Sequence, residues 1–380
     1  MDREEKLDKR WRALQWLIGG FIRRRFNMHA EPCDAEGPCL IISNHVTTWD
    51  PMLLAMSFRS RNIHFVASEH IFRLGLVSKL LCALVEPIPR RKASTGTDTV
   101  MMSLRKLKAG GRVCIFAEGD ATWDGVSAKV FPATGKLART SGVTLVTYRL
   151  EGGYLSLPRW SHKTRRGRMR GHAVNVYTPQ QLRAMTPSEI DDAINRDIYE
   201  DAWQRQRDEG VEYGGGKLAE HIETALFICP RCGRVGGLQS WGDKVTCSCG
   251  MELAYTPLGF FDPPEPFETV RQWDLWQYDK LRRGDFPHGE SLFADDGLTL
   301  REVLPGHRDN KLGTGTLRQF ADRLEIAGRS FGLRDIGSMA MLKASVLLFT
   351  VDQQYFEVRA AAPCCLRKYL AAWENARSAT

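Results

Sequence analysis

The residues best suited to chemistry lie early in the chain, in Asn44-His45-Val46-Thr47-Thr48-Trp49-Asp50. An imidazole titrates close to neutrality, so a histidine can take up and return a proton at physiological pH. A carboxylate within reach of one ring nitrogen fixes the tautomer and steadies the charge that forms. His45 and Asp50, five residues apart, would supply such a base and its orienting partner, with a substrate hydroxyl standing where a serine stands in a hydrolase triad. A plainer reading is also open: Asp50 before Pro51 suits a helix N-cap, and a single loop histidine needs no chemical role. The second constellation is metal-like. Cys229-Pro-Arg-Cys232-Gly and Cys247-Ser-Cys249-Gly, with fourteen residues between Cys232 and Cys247, put four thiols on two tight turns. Four soft thiolates suit a closed tetrahedral zinc site that leaves no position for water, hence a structural ion, Zn2+.

These residues need elements to hold them. Residues 38–43 (PCLIIS) form a short apolar run that reads as a buried strand, and Pro51 opens a helical pattern, PMLLAMSF. His45 would then stand where a strand meets a helix. Further strands are predicted over 63–67, 112–116 and 143–149, and helices over 70–84 and 97–109, the latter ending at Gly110-Gly111. Thr186 and Glu189 make a capping box with Pro187 at the first helical position, followed by Ile190, Ile194, Ile198 and Ala202 on one face. Strands alternating with helices predict an α/β domain over 30–208.

Three motifs then occur in order: Asn44-His45 through Asp50, Ile88-Pro89-Arg90-Arg91, and Phe116-Ala117-Glu118-Gly119. Their order and spacing resemble the glycerolipid acyltransferase family, typified by the lysophosphatidic acid (1-acyl-sn-glycerol-3-phosphate) acyltransferases, over residues 30–205. The resemblance implies that His45 is the general base for an acceptor hydroxyl and that Asp50 orients it. The attacked carbonyl would belong to a fatty acyl thioester, acyl-CoA or an acyl carrier protein. Arg90 or Arg91, with the loop at Glu118 and Gly119, would position the headgroup of a lysophospholipid such as 1-acylglycerol-3-phosphate. The third motif departs from the family's Phe-Pro-Glu-Gly-Thr-Arg: Ala117 replaces its proline, and Asp120-Ala121 replaces Thr-Arg. A carboxylate thus stands beside the expected phosphate site. The fourth motif's proline is missing from Val143-Thr144-Leu145-Val146-Thr147 as well. A substitute source of cations is the stretch 158–171, with Arg159, Lys163, Arg165, Arg166, Arg168 and Arg170 around Trp160, unless that stretch is simply a solvated loop.

Length and charge set the frame. A chain of 380 residues calls for two or three domains, and a net charge of +8 favours anionic partners, among them membrane lipids. No window is apolar enough to cross a bilayer, and residues 1–10 carry both signs of charge, which does not suit a signal peptide. The cysteines do not read as a disulfide framework, so a reducing compartment is expected; Cys364-Cys365 lack a partner pair and are assigned no role. Residues 10–26 place Trp11, Leu14, Leu17, Ile18 and Phe21 at helical spacing before Arg23-Arg24-Arg25, which fits either an amphipathic helix in a membrane interface or a helix packed on its own domain. The expected domains are 1–29 (interface helix), 30–208, 225–262 (zinc ribbon) and 285–378, with linkers at 210–216 and 262–268. The last region, with strands from 298 to 358 and a helix over 364–376, resembles a pleckstrin-homology-like module. Trp241, Arg231 and Arg234 are too sparse a pattern for nucleic acid. The expected protein is therefore a peripheral O-acyltransferase of phospholipid biosynthesis on the cytoplasmic side of a membrane. The alternative, prompted by Asp120 and Ala121, is a non-catalytic lipid-binding or scaffold protein that keeps the fold.

Overall fold

The apolar run Cys39–Ser43 is a strand buried on both faces. Cys39 and Ile41 turn into one core with Trp11, Phe26, Leu53 and Tyr148, while Leu40 and Ile42 turn into another with Val113, Leu145, Ile190 and Ile194. Alternation into two cores is what a central strand with helices on both sides requires. This is a computed structural model; it describes residues 3–33, 35–59, 62–73, 75–90, 96–304 and 308–378, so Arg91 lies outside the described residues.

Two units are resolved. The first contains residues 3–90, Gly96–Arg159 and Thr164–Gly215, and the second contains Trp160–Lys163 and residues 216–378. In chain order the first unit runs α1 (Arg3–Phe26), β1 (Met28–Ala30), β2 (Cys39–Ser43), α2 (Asp50–Ala55), β3 (His64–Ser68), α3 (Leu76–Val85), β4 (Ile88–Arg90), α4 (Thr97–Lys108), β5 (Arg112–Phe116), α5 (Thr134–Ser141), β6 (Thr144–Glu151), α6 (Gly153–Ser156), β7 (Met169–Tyr177), α7 (Pro179–Ala184), α8 (Pro187–Asp197) and α9 (Ala202–Glu209). Its seven described strands form one sheet in the order β1-β7-β6-β2-β5-β3-β4. All neighbours are parallel except β6 and β7, which are antiparallel.

Several local expectations change. The helix expected over 70–84 is two pieces, a 3-10 turn at Glu69–Arg73 and then α3, because Gly75 adopts φ +60° between them. The apolar face drawn through Ile190, Ile194, Ile198 and Ala202 is buried throughout, but α8 stops at Asp197 and Ala202 opens α9 under an Asp201 cap. The stripe on α1 also divides. Trp11 is buried with Leu7, Ile22 and Phe26, and its indole donates to Phe58 O at 2.9 Å, whereas Trp16, Leu17 and Phe21 point outward. The Gly19-Gly20 pair does not end the helix; a side chain at Gly19 would meet the Met56 methyl group at 3.1 Å.

The second unit continues with β8 (Leu238–Trp241), β9 (Lys244–Cys247), β10 (Glu252–Tyr255), β11 (Phe261–Asp262), α10 (Val270–Arg283), β12 (Phe293–Leu304), β13 (Arg308–Gln319), β14 (Arg323–Ile326), β15 (Arg329–Gly332), β16 (Ile336–Leu342), β17 (Val346–Val351), β18 (Gln354–Arg359) and α11 (Arg367–Ser378). Strands β8–β11 make an antiparallel sheet, and β12–β18 make a second in the order β15-β14-β13-β12-β18-β17-β16. Residues 316–326 (TLRQFADRLEI) cover the end of β13, a turn and β14. Helix α10 was not legible as a hydrophobic stripe, yet it ties the unit together. Gln277 accepts from Phe227 N (2.8 Å) and donates to Ala225 O (3.0 Å), and the Trp273 indole donates to Ile228 O (2.9 Å). Gln277 also donates to Asp274 Oδ1 (2.7 Å), and Asp274 takes both ends of the buried Arg367 guanidinium at 2.7 and 2.9 Å. The stretches 225–262 and 285–378 thus belong to one unit. Its signal in the sequence was a capping box, Thr269 with Gln272, and Gly284 as C-cap.

Candidate active site

Ser43, the last residue of β2, registers with Phe116 at the end of β5 and with Tyr148 on β6. Side chains that follow the carboxyl ends of parallel strands leave the sheet and gather at one edge, the usual ligand-binding edge of an open α/β sheet. His45 follows β2, Glu118 follows β5, and Arg90 ends β4. Asn44 fixes the exit of β2: its amide donates to Leu150 O and accepts from Leu150 N, both at 2.8 Å.

The His45 loop closes on Asp50. Asp50 Oδ2 lies 2.7 Å from His45 Nδ1 and accepts from Val46 N at 2.6 Å, while Oδ1 accepts from Thr47 N at 2.9 Å and from the Thr47 hydroxyl at 2.7 Å. Asp50 is not the N-cap of α2. That position is Trp49, and the carboxylate turns back into the loop instead. Asp50 is fully buried and His45 is 22% exposed, so the pair has a dry side and an open side. A carboxylate acceptor at Nδ1 keeps the proton there and leaves Nε2 as the basic nitrogen. The ring is further held by stacking on Phe116, centroid to centroid 4.7 Å at 27°.

Glu118 does not face outward toward a headgroup. It is buried, and its two oxygens accept from His45 N (2.9 Å) and Ala128 N (2.8 Å). Burial pushes its carboxyl up to about 8, with the two amide donors opposing the rise. Thr122 N donates to His45 O at 3.0 Å, so the loop after β5 grips His45 by both its backbone N–H and its carbonyl. Gly119 adopts φ +84°, and an added Cβ would stand 2.3 Å from Phe131 Cζ. The Phe131 ring in turn carries Arg90, whose guanidinium carbon lies 5.0 Å from the centroid. Partial burial draws the Arg90 pKa down from its usual value.

The basic stretch 158–171 is not a continuous patch. Arg159 reaches the loop after β5: its Nη1 lies 2.6 Å from Asp120 Oδ2 and 3.0 Å from Ala121 O, and its guanidinium packs 4.1 Å from the Trp123 ring centroid. Arg165 is buried and donates to Leu155 O. Arg168 and Arg170 both pair with Glu209, and Trp160 is buried in the second unit. Arg159 is thus the member of the stretch brought to the His45 edge, and nothing in the sequence singled it out from its neighbours.

The four cysteines converge. Their Sγ atoms lie within 4.8 Å of one another, with Cys229 and Cys249 at 3.7 Å and Cys232 and Cys247 at 3.9 Å. Sulfurs at the corners of a tetrahedron with Zn–S of about 2.3 Å would be about 3.8 Å apart. The amides of Arg231 and Cys232 point at Cys229 Sγ, and that of Met251 points at Cys249 Sγ. Gly233 and Gly250, which close the two turns, adopt φ +72° and +86°. The donor set and its spacing fit a closed tetrahedral thiophilic ion.

Two comparisons with known proteins concern the first unit. The crystal structure of the 1-acyl-sn-glycerophosphate (LPA) acyltransferase PlsC from Thermotoga maritima is similar at 17% identity, with a TM-score of 0.39, over 51% of this chain and 77% of that one. Residues 25–151 match the model of the family described as Acyltransferase, a span that contains His45, Asp50, Arg90, Glu118 and Gly119 and ends before Arg159. This part of the chain is an acyltransferase domain with an α/β fold.

Proposed function

We propose that the protein is an O-acyltransferase that moves a fatty acyl group from a thioester, acyl-CoA or acyl carrier protein, to a hydroxyl of a lyso-glycerolipid. The observation that carries this reading is the His45–Asp50 pair. Nδ1 is committed to a buried carboxylate at 2.7 Å, and the imidazole remains partly open to solvent. His45 Nε2 would take the proton of the acceptor hydroxyl as its oxygen attacks the thioester carbonyl. It would then return the proton to the departing thiolate, and Asp50 would steady the imidazolium between the two steps. Arg90, held over Phe131, would meet an anionic part of one substrate.

The test is release of free CoA from an acyl-CoA in the presence of membrane lipids, by the wild type and by His45→Ala. Release by the wild type and its loss in the variant are expected. Equal release by both would sink the mechanism. Saturable liposome binding without transfer to any acceptor would replace it with the scaffold reading.

The first unit would work on a membrane surface. No described helix is long and apolar enough to cross a bilayer, but the outward side of α1 shows Trp16 at 82%, Leu17 at 67% and Phe21 at 54% exposure, with Arg12, Arg23 and Arg24 beside them. The neighbouring α3, which receives the Arg10 guanidinium at Ala83 O, exposes Leu76 and Leu80. Apolar rings flanked by arginines suit the interface of an anionic bilayer. The triple variant Trp16→Ala, Leu17→Ala, Phe21→Ala should lose binding to phosphatidylglycerol vesicles without a change in melting temperature.

The four-cysteine site would hold zinc as a brace for β8–β11. The seven strands β12–β18 closed by α11, with β12 paired to β18, support a pleckstrin-homology-like reading of the C-terminal region.

A further inference from the structure

We infer that the headgroup accepted beside His45 is an uncharged polyol rather than a phosphate monoester, and that the Asp120–Arg159 ion pair enforces the choice. This rests on the acyl-transfer reading and narrows its acceptor. The loop from Glu118 to Thr122 is tied to the base at both ends, Glu118 Oε1 to His45 N and Thr122 N to His45 O. Asp120 sits between those two ties. A headgroup whose hydroxyl is presented to His45 therefore meets this loop.

The cation at the loop is committed. The Arg159 side chain is only 5% exposed; its Nη1 pairs with Asp120 and donates to Ala121 O, and its guanidinium lies over the Trp123 ring. A phosphate dianion would have to displace Asp120 from the guanidinium or sit against the carboxylate, and like charges at that distance repel strongly in a partly desolvated site. The pair is close to neutral overall, so it offers no net attraction to a cationic headgroup either. What remains favourable is a hydroxyl: the Asp120 side chain is 39% exposed, and a carboxylate accepts from hydroxyls well. Arg90 packs on Phe131, whose ring edge covers Gly119; on this reading that cation would serve the phosphates of the thioester carrier.

The experiment compares two soluble acceptors that differ only in the phosphate, 1-hexanoylglycerol and 1-hexanoylglycerol 3-phosphate. Their binding to the full chain is measured by isothermal titration calorimetry, with CoA release recorded in parallel. The wild type should bind the uncharged acceptor at least about tenfold more tightly. Asp120→Asn keeps the size of the side chain but frees Arg159 of a charged partner, and it should raise affinity for the phosphate form about tenfold or more. Asp120→Ser carries the same test if the first variant does not fold. A wild type that binds the phosphate form as tightly as the uncharged one, or that binds neither, overturns the inference, as does an unchanged ratio in the variants. His45-dependent CoA release with the wrong preference sinks the inference alone. No release with any acceptor sinks the acyl-transfer reading, while the binding ratios still decide the preference of the loop.

Discussion

Glu118 Oε1 accepts the backbone N–H of His45 at 2.9 Å, although the two residues are 73 positions apart. The side chain that the motif pattern placed at the substrate is turned inward, where it holds the His45 backbone. Its other oxygen takes Ala128 N, so one buried side chain ties the end of β2 to the loop after β5. In the proposed reaction His45 is the general base, and preorganisation of this kind would matter because a misplacement of about 1 Å is costly to rate.

Glu118 also makes a pH-dependent contribution to stability. Its folded-state value of about 8 stands above the ordinary 4.5, so the folded chain holds a proton that the unfolded chain has lost. The contribution is complete below the ordinary value and is lost as pH rises through about 8. Thermal or urea melts of the wild type should therefore lose stability relative to Glu118→Gln between about pH 5 and about pH 8, at most roughly 1.4 kcal/mol per pH unit. Parallel stability curves for the two proteins would contradict this.

Asp50 receives the His45 ring, two backbone amides and the Thr47 hydroxyl. An amide in its place brings a donor into a ring of donors and removes the charge that steadies the imidazolium. Asp50→Asn should lower kcat by about two to four orders of magnitude, with a much smaller change in KM for the acyl thioester. Thr47→Val removes one of those hydrogen bonds and should cost roughly 1.5–3 kcal/mol of stability by urea titration.

At Gly119 the backbone is left-handed and Phe131 occupies the space of a side chain. Gly119→Ala should destabilise the fold by about 1–3 kcal/mol and lower activity through the displaced loop. Adding Phe131→Ala relieves the clash but not the dihedral, so only part of the stability should return. Full recovery in calorimetry would show that φ carries no penalty here.

Metal content is directly measurable. The purified chain should carry about one zinc per molecule, and Cys247→Ser should lose it together with a fall in melting temperature. A strong chelator should reproduce the fall in the wild type and leave the variant unmoved. A zinc-free chain with an unchanged melt would remove the brace from the account.

The sequence by itself determined what is encoded locally. Five apolar residues make β2, Pro51 starts α2 after it, and the short loop between them brings His45 and Asp50 together. Two cysteine turns closed by glycines converge because each is rigid over a few residues. Capping boxes at Thr186 and Thr269 set helix starts in the same way, though at Thr269 no hydrophobic stripe drew attention to the helix that joins the second unit. Only the tertiary structure decided which side of α1 is covered, since Trp11 and Trp16 are equally apolar and differ in what the sheet places against them. It also decided the charge at the loop after β5. Asp120 reads as an unbalanced carboxylate until the fold brings in Arg159, 38 residues beyond Ala121. Coulombic pairing depends on separation in space, and that separation is set by the order of strands in the sheet, where β6 lies beside β2 and not beside its neighbour in sequence, β5.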